Sequence, residues 1–363
     1  MAVADGKVPT RIAVLDGVRG IAVLMVMFCH YPLFDVPARW QALAGRLSQL
    51  GELGVDLFFV LSGFLITGIL VDARGRRGPV LRNFYIRRSL RIFPLYYGTL
   101  LVMYVVLPLV GASAPTPWRD QRWFWTYLQN IGFTFSTVPG PNHFWSLAVE
   151  EHFYLVWPIV ALYAAPRTLL RYLIGAIVLT LLCRFALLHA GYGTFYFTLC
   201  RLDGLALGGL VALAARSRGG LAAAAPAARW ALVGFTPALT LLSVVFTGDG
   251  NLLVQIIKST LIGAWFAAAL LLVQQQPTGS LTGQVLSLPA LRSVGEYSYA
   301  MYVFHPFLFW GLIEYLRPYP LVVQYALAFA GVYFAAYTSW RLWERHFLVL
   351  KDRFTYGVDA RHA

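Results

Sequence analysis

The residues best able to do chemistry are those that carry protons or charge where the neighbouring sequence excludes water. His30 is the first of them. It closes "RGIAVLMVMFCH", residues 19–30, an apolar run with an arginine at its other end. Of all side chains, imidazole changes charge closest to neutrality, so a histidine here suggests proton transfer rather than a permanent ion. Arg19 and His30 are eleven residues apart, about three helical turns and ~16 Å of rise, which puts both on one helix face. Further along, Asp56, Glu150, Glu151, His152, Arg184, Arg201, Asp203, Lys258, His305 and Glu314 lie in or beside apolar stretches. Each costs a few kcal/mol in hydrocarbon, so together they predict one polar chamber inside a helical bundle. Buried ion pairs such as Arg201–Asp203 are the alternative.

Several other patterns carry less. "LSGF" around Ser62 lacks the first glycine of a nucleophile elbow and sits in an apolar segment, which disfavours a serine hydrolase. "VEEHF" has no second histidine one turn on, so a zinc protease lacks its ligand pair, and no metal site is expected. Cys29 is about 100° around a helix from His30, badly placed for a thiolate–imidazole pair. The three cysteines fall in separate apolar segments and predict no disulfide framework. "GLALG", Gly204 to Gly208, reads as a helix-packing stripe.

The elements that must position these residues follow from composition. Of 363 residues 59% are hydrophobic and only 12% charged, about half the charged share of a soluble protein, so the bulk solvent is lipid. Windows of about twenty residues predict ten spans. They lie at Val18–His30, Leu53–Val71, Ile92–Val110, Phe144–Ala164, Leu169–Ala190, Phe195–Ala215, Trp230–Phe246, Leu252–Val273, Tyr297–Leu316 and Leu321–Trp343. The first reads as a retained span rather than a signal peptide.

The segment "DARGRRGPVLRNFYIRRSLR" holds seven arginines. With the tails and the other loops on its side it gathers twenty-one Lys and Arg against five opposite, which predicts cytoplasmic termini. The net charge of +13 therefore reads as membrane orientation, and no nucleic-acid partner is expected. The expected fold is an all-α polytopic bundle. It comprises a membrane domain over 11–350 and a cytoplasmic tail over 351–363.

Six phrases in order carry a resemblance: "LDGVRGIAVLMVMFCH", "GVDLFFVLSGFLIT", "FYIRRSLRIFPLYY", "NHFWSLAVEEHFYLVWP", "RLDGLALGGLVA" and "SYAMYVFHPF". The chain resembles the acyltransferase 3 family of bacterial membrane acyltransferases over essentially its whole length. The resemblance implies a multi-pass protein of the bacterial cytoplasmic membrane. It would move an acyl group, commonly acetyl, from cytoplasmic acyl-CoA as co-substrate to an acceptor hydroxyl, with no permanently bound cofactor. The implied acceptor is a sugar of an envelope or exported polysaccharide. A small hydroxylated metabolite such as a macrolide is the alternative, and a transporter belongs to a competing class. Some members add a periplasmic domain; none is expected here after Ala363, which leaves selectivity to the bundle and its loops.

Arg19 and His30 match the family's arginine, ten residues, histidine motif, and Arg88 and Arg91 its arginine, two residues, arginine motif. The implied roles place Arg88 and Arg91 on the phosphates of CoA at a cytoplasmic mouth, although plain positive-inside anchoring also explains their position. Arg19 would guide the pantetheine arm or orient a partner. His30 is the expected general base, with an acyl-histidine route open beside it. Glu150 or Asp56 is expected to fix its tautomer. Arg201, Tyr299 and His305 are the candidate donors to the oxyanion, and with Asp203 they are expected to contact the acceptor.

Overall fold

The computed structural model describes residues 10–31, 38–245, 251–277 and 279–356, and the side chains of 13–31, 53–75, 77–239, 251–277 and 279–356. Among these residues regular structure is entirely helical. The helices are α1 (Thr10–His30), α2 (Ala38–Asp72), α3 (Arg77–Leu101), α4 (Leu107–Leu109), α5 (Trp118–Trp125), α6 (Gln129–Phe135), α7 (Trp145–Tyr163) and α8 (Pro166–His189). After them come α9 (Leu202–Ala214), α10 (Gly220–Val245), α11 (Leu252–Val273), α12 (Leu281–Leu286), α13 (Pro289–Glu296), α14 (Ser298–Leu316), α15 (Leu321–Ser339) and α16 (Arg345–Lys351).

Each expected span overlaps a helix, in the case of Phe195–Ala215 only from Leu202, and α11 has the expected bounds. Among the described residues six stretches are long and apolar enough to cross a bilayer. These are Ala13–His30, Leu53–Asp72, Arg77–Leu109, Pro166–His189, Leu252–Val273 and Leu321–Lys351. The other expected spans correspond to α7, which carries Glu150 and Glu151, to the 13-residue α9, and to α10 and α14. The charge count for orientation includes Lys7, Arg11, Arg39, Arg46, Arg76 and Arg361, whose side chains lie outside the described residues.

One boundary changes the reading of the site. The third span, expected from Ile92, belongs to a helix that begins at Arg77. Arginine is a good helix former, so "RNFYIRRSLR" continues the helix although it is not apolar. Arg88 and Arg91 therefore lie well within α3 rather than ahead of it.

The chain divides into two compact units: Met1–Phe58 with Leu271–Leu342, and Phe59–Leu270 with Trp343–Ala363. In the first, α1 packs against α12, α13 and α14, and α14 packs against α15. Ala22, Val23, Val26, Met27, Val303, Phe309, Ala328 and Val332 are fully buried there. The crossing of α1 and α13 is backbone to backbone. A Cβ on Gly295 would lie 1.9 Å from the Asp16 carbonyl oxygen, so no side chain fits.

In the second unit α3 packs against α7 and α16, and α8 against α9. The expected helix-packing role of "GLALG" is met: a Cβ on Gly208 would lie 2.0 Å from the Val60 carbonyl oxygen of α2. The chain after α15 is tied to α3 by directed hydrogen bonds. Arg87 Nη1 donates to the carbonyls of Lys351 and Phe354, both at 3.0 Å. Asn83 Nδ2 donates to the Thr355 carbonyl at 2.7 Å.

Candidate active site

In the first unit the last residue of α1 meets the middle of α14. The His30 and His305 rings pack edge to face, with centroids 5.0 Å apart. His30 is exposed and His305 is fully buried. His30 Nδ1 lies 2.8 Å from the Val26 carbonyl oxygen, four residues back. A carbonyl only accepts, so in the neutral ring Nδ1 carries the hydrogen and Nε2 the lone pair. The tautomer that a carboxylate was expected to fix is thus set by the backbone of the same helix.

His305 repeats the device. Its Nδ1 lies 2.8 Å from the Tyr302 carbonyl oxygen and 3.3 Å from that of Met301. The local sequence explains why Tyr302 has a carbonyl to offer. In a regular helix it would accept the N–H of residue 306, but that residue is Pro306, which has none. "YVFHPF" thus builds its own acceptor for His305.

Around the pair lies an aromatic wall. Tyr31 packs on Phe309 (5.2 Å) and Tyr325 (4.6 Å), and its hydroxyl donates to Gln324 Oε1 at 3.1 Å. Arg19 is ion-paired with Asp16 at 2.6 Å on the same helix. Asp56 is buried on α2 and Tyr299 half-buried on α14.

In the second unit the carboxylate and the arginines come together. Glu150 on α7 hydrogen-bonds with the hydroxyls of Ser62 and Tyr154 and lies in the field of Arg88 and Arg91. Ser62 and Tyr154 are themselves linked at 2.6 Å. The Arg88 guanidinium stands over the rings of Tyr154 (5.2 Å) and Phe84 (5.6 Å). Lys351, read from sequence as a tail charge, lies in the field of Arg91, Arg87 and Arg88.

From sequence, Glu150 was expected beside His30 and the arginines at a cytoplasmic mouth. The early start of α3 brings them level. The antiparallel pairing is visible in Tyr85, whose hydroxyl donates to the Leu155 carbonyl at 2.7 Å.

A second correction concerns Asp203. Its ion pair is with Arg184 of α8, at 2.7 Å, and both side chains are almost wholly buried. Thr260 Oγ1 donates to the same carboxylate oxygen at 2.6 Å, and the Gly204 N–H donates to the other at 3.1 Å. Arg201 bonds Ser259 Oγ at 3.1 Å and is ringed by Phe59, Trp145 and Phe195 within 5.8 Å. Arg201 precedes α9 in a non-helical conformation (φ −128°, ψ 5°), whereas Asp203 lies in its first turn, so the two side chains leave the backbone from different geometries.

Cys183 and Cys200, distant in sequence, place their sulfurs 3.6 Å apart. His152 Nδ1 and Asn130 Nδ2 share the Thr198 hydroxyl, at 2.7 and 2.5 Å.

Comparison with known proteins bears on what these groups do. The model of the acyltransferase 3 family, described as an acyltransferase domain, matches residues 12–341. The chain belongs to that family.

Named relatives of this acyltransferase domain include a putative peptidoglycan O-acetyltransferase, YrhL, of Bacillus subtilis. It is 29% identical over 80% of the chain and 47% of the relative. The O-acetyltransferase OatA of Staphylococcus aureus is 28% identical over 82% of the chain and 50% of the relative. The peptidoglycan O-acetyltransferase OatA of Listeria monocytogenes is 32% identical over 44% of the chain and 26% of the relative. The chain spans about half the length of YrhL and of the Staphylococcus OatA. No solved structure matches it.

Within the acyltransferase domain, sequence reasoning missed Ser62, Tyr154, Arg184 and Lys351 as partners of the residues it named. Two of them left a signal: Ser62 is a hydroxyl in an apolar helix and Arg184 a buried cation needing a carboxylate.

Proposed function

We propose that the chain is a membrane O-acetyltransferase that moves acetyl from acyl-CoA to a sugar hydroxyl of a cell-envelope polysaccharide. The observation that carries this reading is the state of His30: an exposed imidazole whose Nδ1–H is committed to Val26, leaving Nε2 as the basic atom. Family membership supports acyl transfer, and the printed names of the relatives support a cell-wall acceptor.

In this reading the acceptor hydroxyl gives its proton to His30 Nε2 as its oxygen attacks the thioester carbon. A carbon–oxygen bond forms and a tetrahedral oxyanion results. Tyr299, on α14 with His305, is the proposed donor to that oxyanion. Collapse breaks the carbon–sulfur bond, and the CoA thiolate takes the proton back from the His30 imidazolium. Ester, free CoA and the original base are the products. Arg88 and Arg91 are proposed to hold the phosphates of CoA. Each charge-assisted contact is worth roughly 1.5–3 kcal/mol, and Glu150 orients the pair.

The test is thioester consumption by membranes carrying the full chain, given acetyl-CoA and oligosaccharides of cell-wall polysaccharide. Release of free CoA matched by ester formed on the sugar is expected. Consumption without sugar ester would overturn the acceptor, and no consumption would overturn the activity.

A further inference from the structure

One pair of oxidisable groups in the second unit has no part in the proposed acyl transfer. Cys183 lies on α8, six residues before its end, and Cys200 in the short 3₁₀ turn Thr198–Cys200 that leads into α9. The two are seventeen positions apart, yet the Cys200 thiol donates to the Cys183 sulfur at 3.6 Å. Cys183 is half-buried and Cys200 is fully buried. Bonding distance for two sulfurs is ~2.0 Å, so the remaining approach is on the scale of a side-chain rotation.

The backbones on either side are already tied. Arg184, next to Cys183, donates from Nε to the Cys200 carbonyl at 2.9 Å and from Nη2 to Asp203 at 2.7 Å. Its Nη1 donates to the Ile256 carbonyl at 2.8 Å and to Thr260 Oγ1 at 2.9 Å. The sulfurs therefore meet beside a buried guanidinium that fixes how α8 approaches the turn. The pair also lies far from the arginine-rich segment. Arg74 of that segment donates to the Ala161 carbonyl near the end of α7 at 2.9 Å, which marks the face where α8 begins. Cys183 is seventeen residues along α8 from Pro166, ~26 Å of rise.

We infer that Cys183 and Cys200 are a disulfide site, closed by a disulfide-bearing oxidant on the membrane face opposite the arginine-rich segment. The charge count predicts that this face looks away from the cytoplasm and its reducing thiol pool. In the exchange, the Cys183 sulfur, the less buried one, attacks the oxidant's disulfide and releases one of its sulfurs as a thiol. The Cys200 sulfur then attacks Cys183 and releases the second. One S–S bond breaks and one forms, the oxidant gains two electrons, and the two protein thiol protons end on its sulfurs. The product fastens covalently the crossing that Arg184 and Asp203 hold by charge. It also restricts residues 184–199 in the unfolded chain, which raises stability. The inference is independent of the role of His30.

The test uses the full chain in membranes, treated with dipyridyl disulfide, a bilayer-permeant oxidant of this class, beside a dithiothreitol-reduced sample and Cys183→Ala. Trypsin cuts after Arg184 and Arg201, so the two cysteines leave in separate peptides unless they are bonded. The expected product is a joined pair of peptides, two hydrogens lighter than their sum, split by dithiothreitol and absent from Cys183→Ala. The oxidised wild type should melt roughly 2–6 °C above the reduced protein, a rise that Cys183→Ala does not show. Separate peptides, whether free or carrying pyridyl adducts, would overturn the inference. So would an oxidised protein that melts no higher than the reduced one.

Discussion

Two sites, one in each compact unit, settle their polar groups in opposite ways. In the second, charge is settled by charge: Arg184 answers Asp203, Arg88 and Arg91 face Glu150, and hydroxyls of Thr260, Ser62 and Tyr154 complete the shells. In the first, His30 and His305 are neutralisable rings whose orienting partners are carbonyls of their own helices. Ion pairs such as Arg184–Asp203 hold structure and are spent in doing so. In the proposed function, His30, anchored at Nδ1, keeps Nε2 for the acceptor proton. The lesson is that the number of charged residues in a membrane bundle says little about their roles, and the manner of their satisfaction is the better basis for proposing a site.

Four substitutions can break or sharpen that contrast. The largest effect is expected for His30→Ala, which should cost roughly 10²- to 10⁴-fold in acyl transfer while the protein inserts and melts as wild type. CoA release with a parallel thermal scan reads both, and retained turnover would end the contrast from the catalytic side.

Arg184→Ala should do the reverse. Stranding a nearly inaccessible Asp203 should destabilise by about 3–5 kcal/mol. Any molecules that still fold should turn over normally, and the double change Arg184→Met with Asp203→Leu should recover most of the loss. A lower midpoint for the double variant than for Arg184→Ala would contradict this account.

Arg88→Ala is expected to raise the KM for acetyl-CoA about ten- to a hundredfold with smaller change for the acceptor. Equal weakening toward both would point to a structural role shared with Glu150. The smallest effect belongs to Pro306→Ala. It restores an N–H that competes for the Tyr302 carbonyl, so stability should hold or rise while turnover drops by about a fewfold. Faster turnover in that variant would argue that the locked tautomer is no advantage.

Much of this architecture was legible in the sequence. Hydropathy located a helix for every expected span, and α11 has the expected bounds because its apolar run is cut off by Asn251 before it and Gln274 after it. α3 began earlier than expected because hydropathy sees charge whereas helix formation does not object to arginine. The residue types at the candidate site were legible too, since ionisable groups stand out against an apolar background.

Their partners were less so. The carbonyls that orient both histidines belong to every residue alike and leave no mark in the sequence, except where Pro306 betrays one. Asp203 found Arg184 because two helices cross there, a fact of tertiary packing. Arg201, two positions away, falls just ahead of the helix that carries Asp203, a boundary that hydropathy did not mark.

The glycine crossing of α1 and α13 has a mechanical consequence. With Gly295 pressed on the Asp16 carbonyl, α1 has no slack to slide or roll at that point, and His30 sits at the end of the same rod, ~20 Å onward. A single methyl group at position 295 would therefore act like a shim at a pivot. Small at its origin, the displacement would be magnified at the tip, where a fraction of an ångström decides whether a proton is within reach.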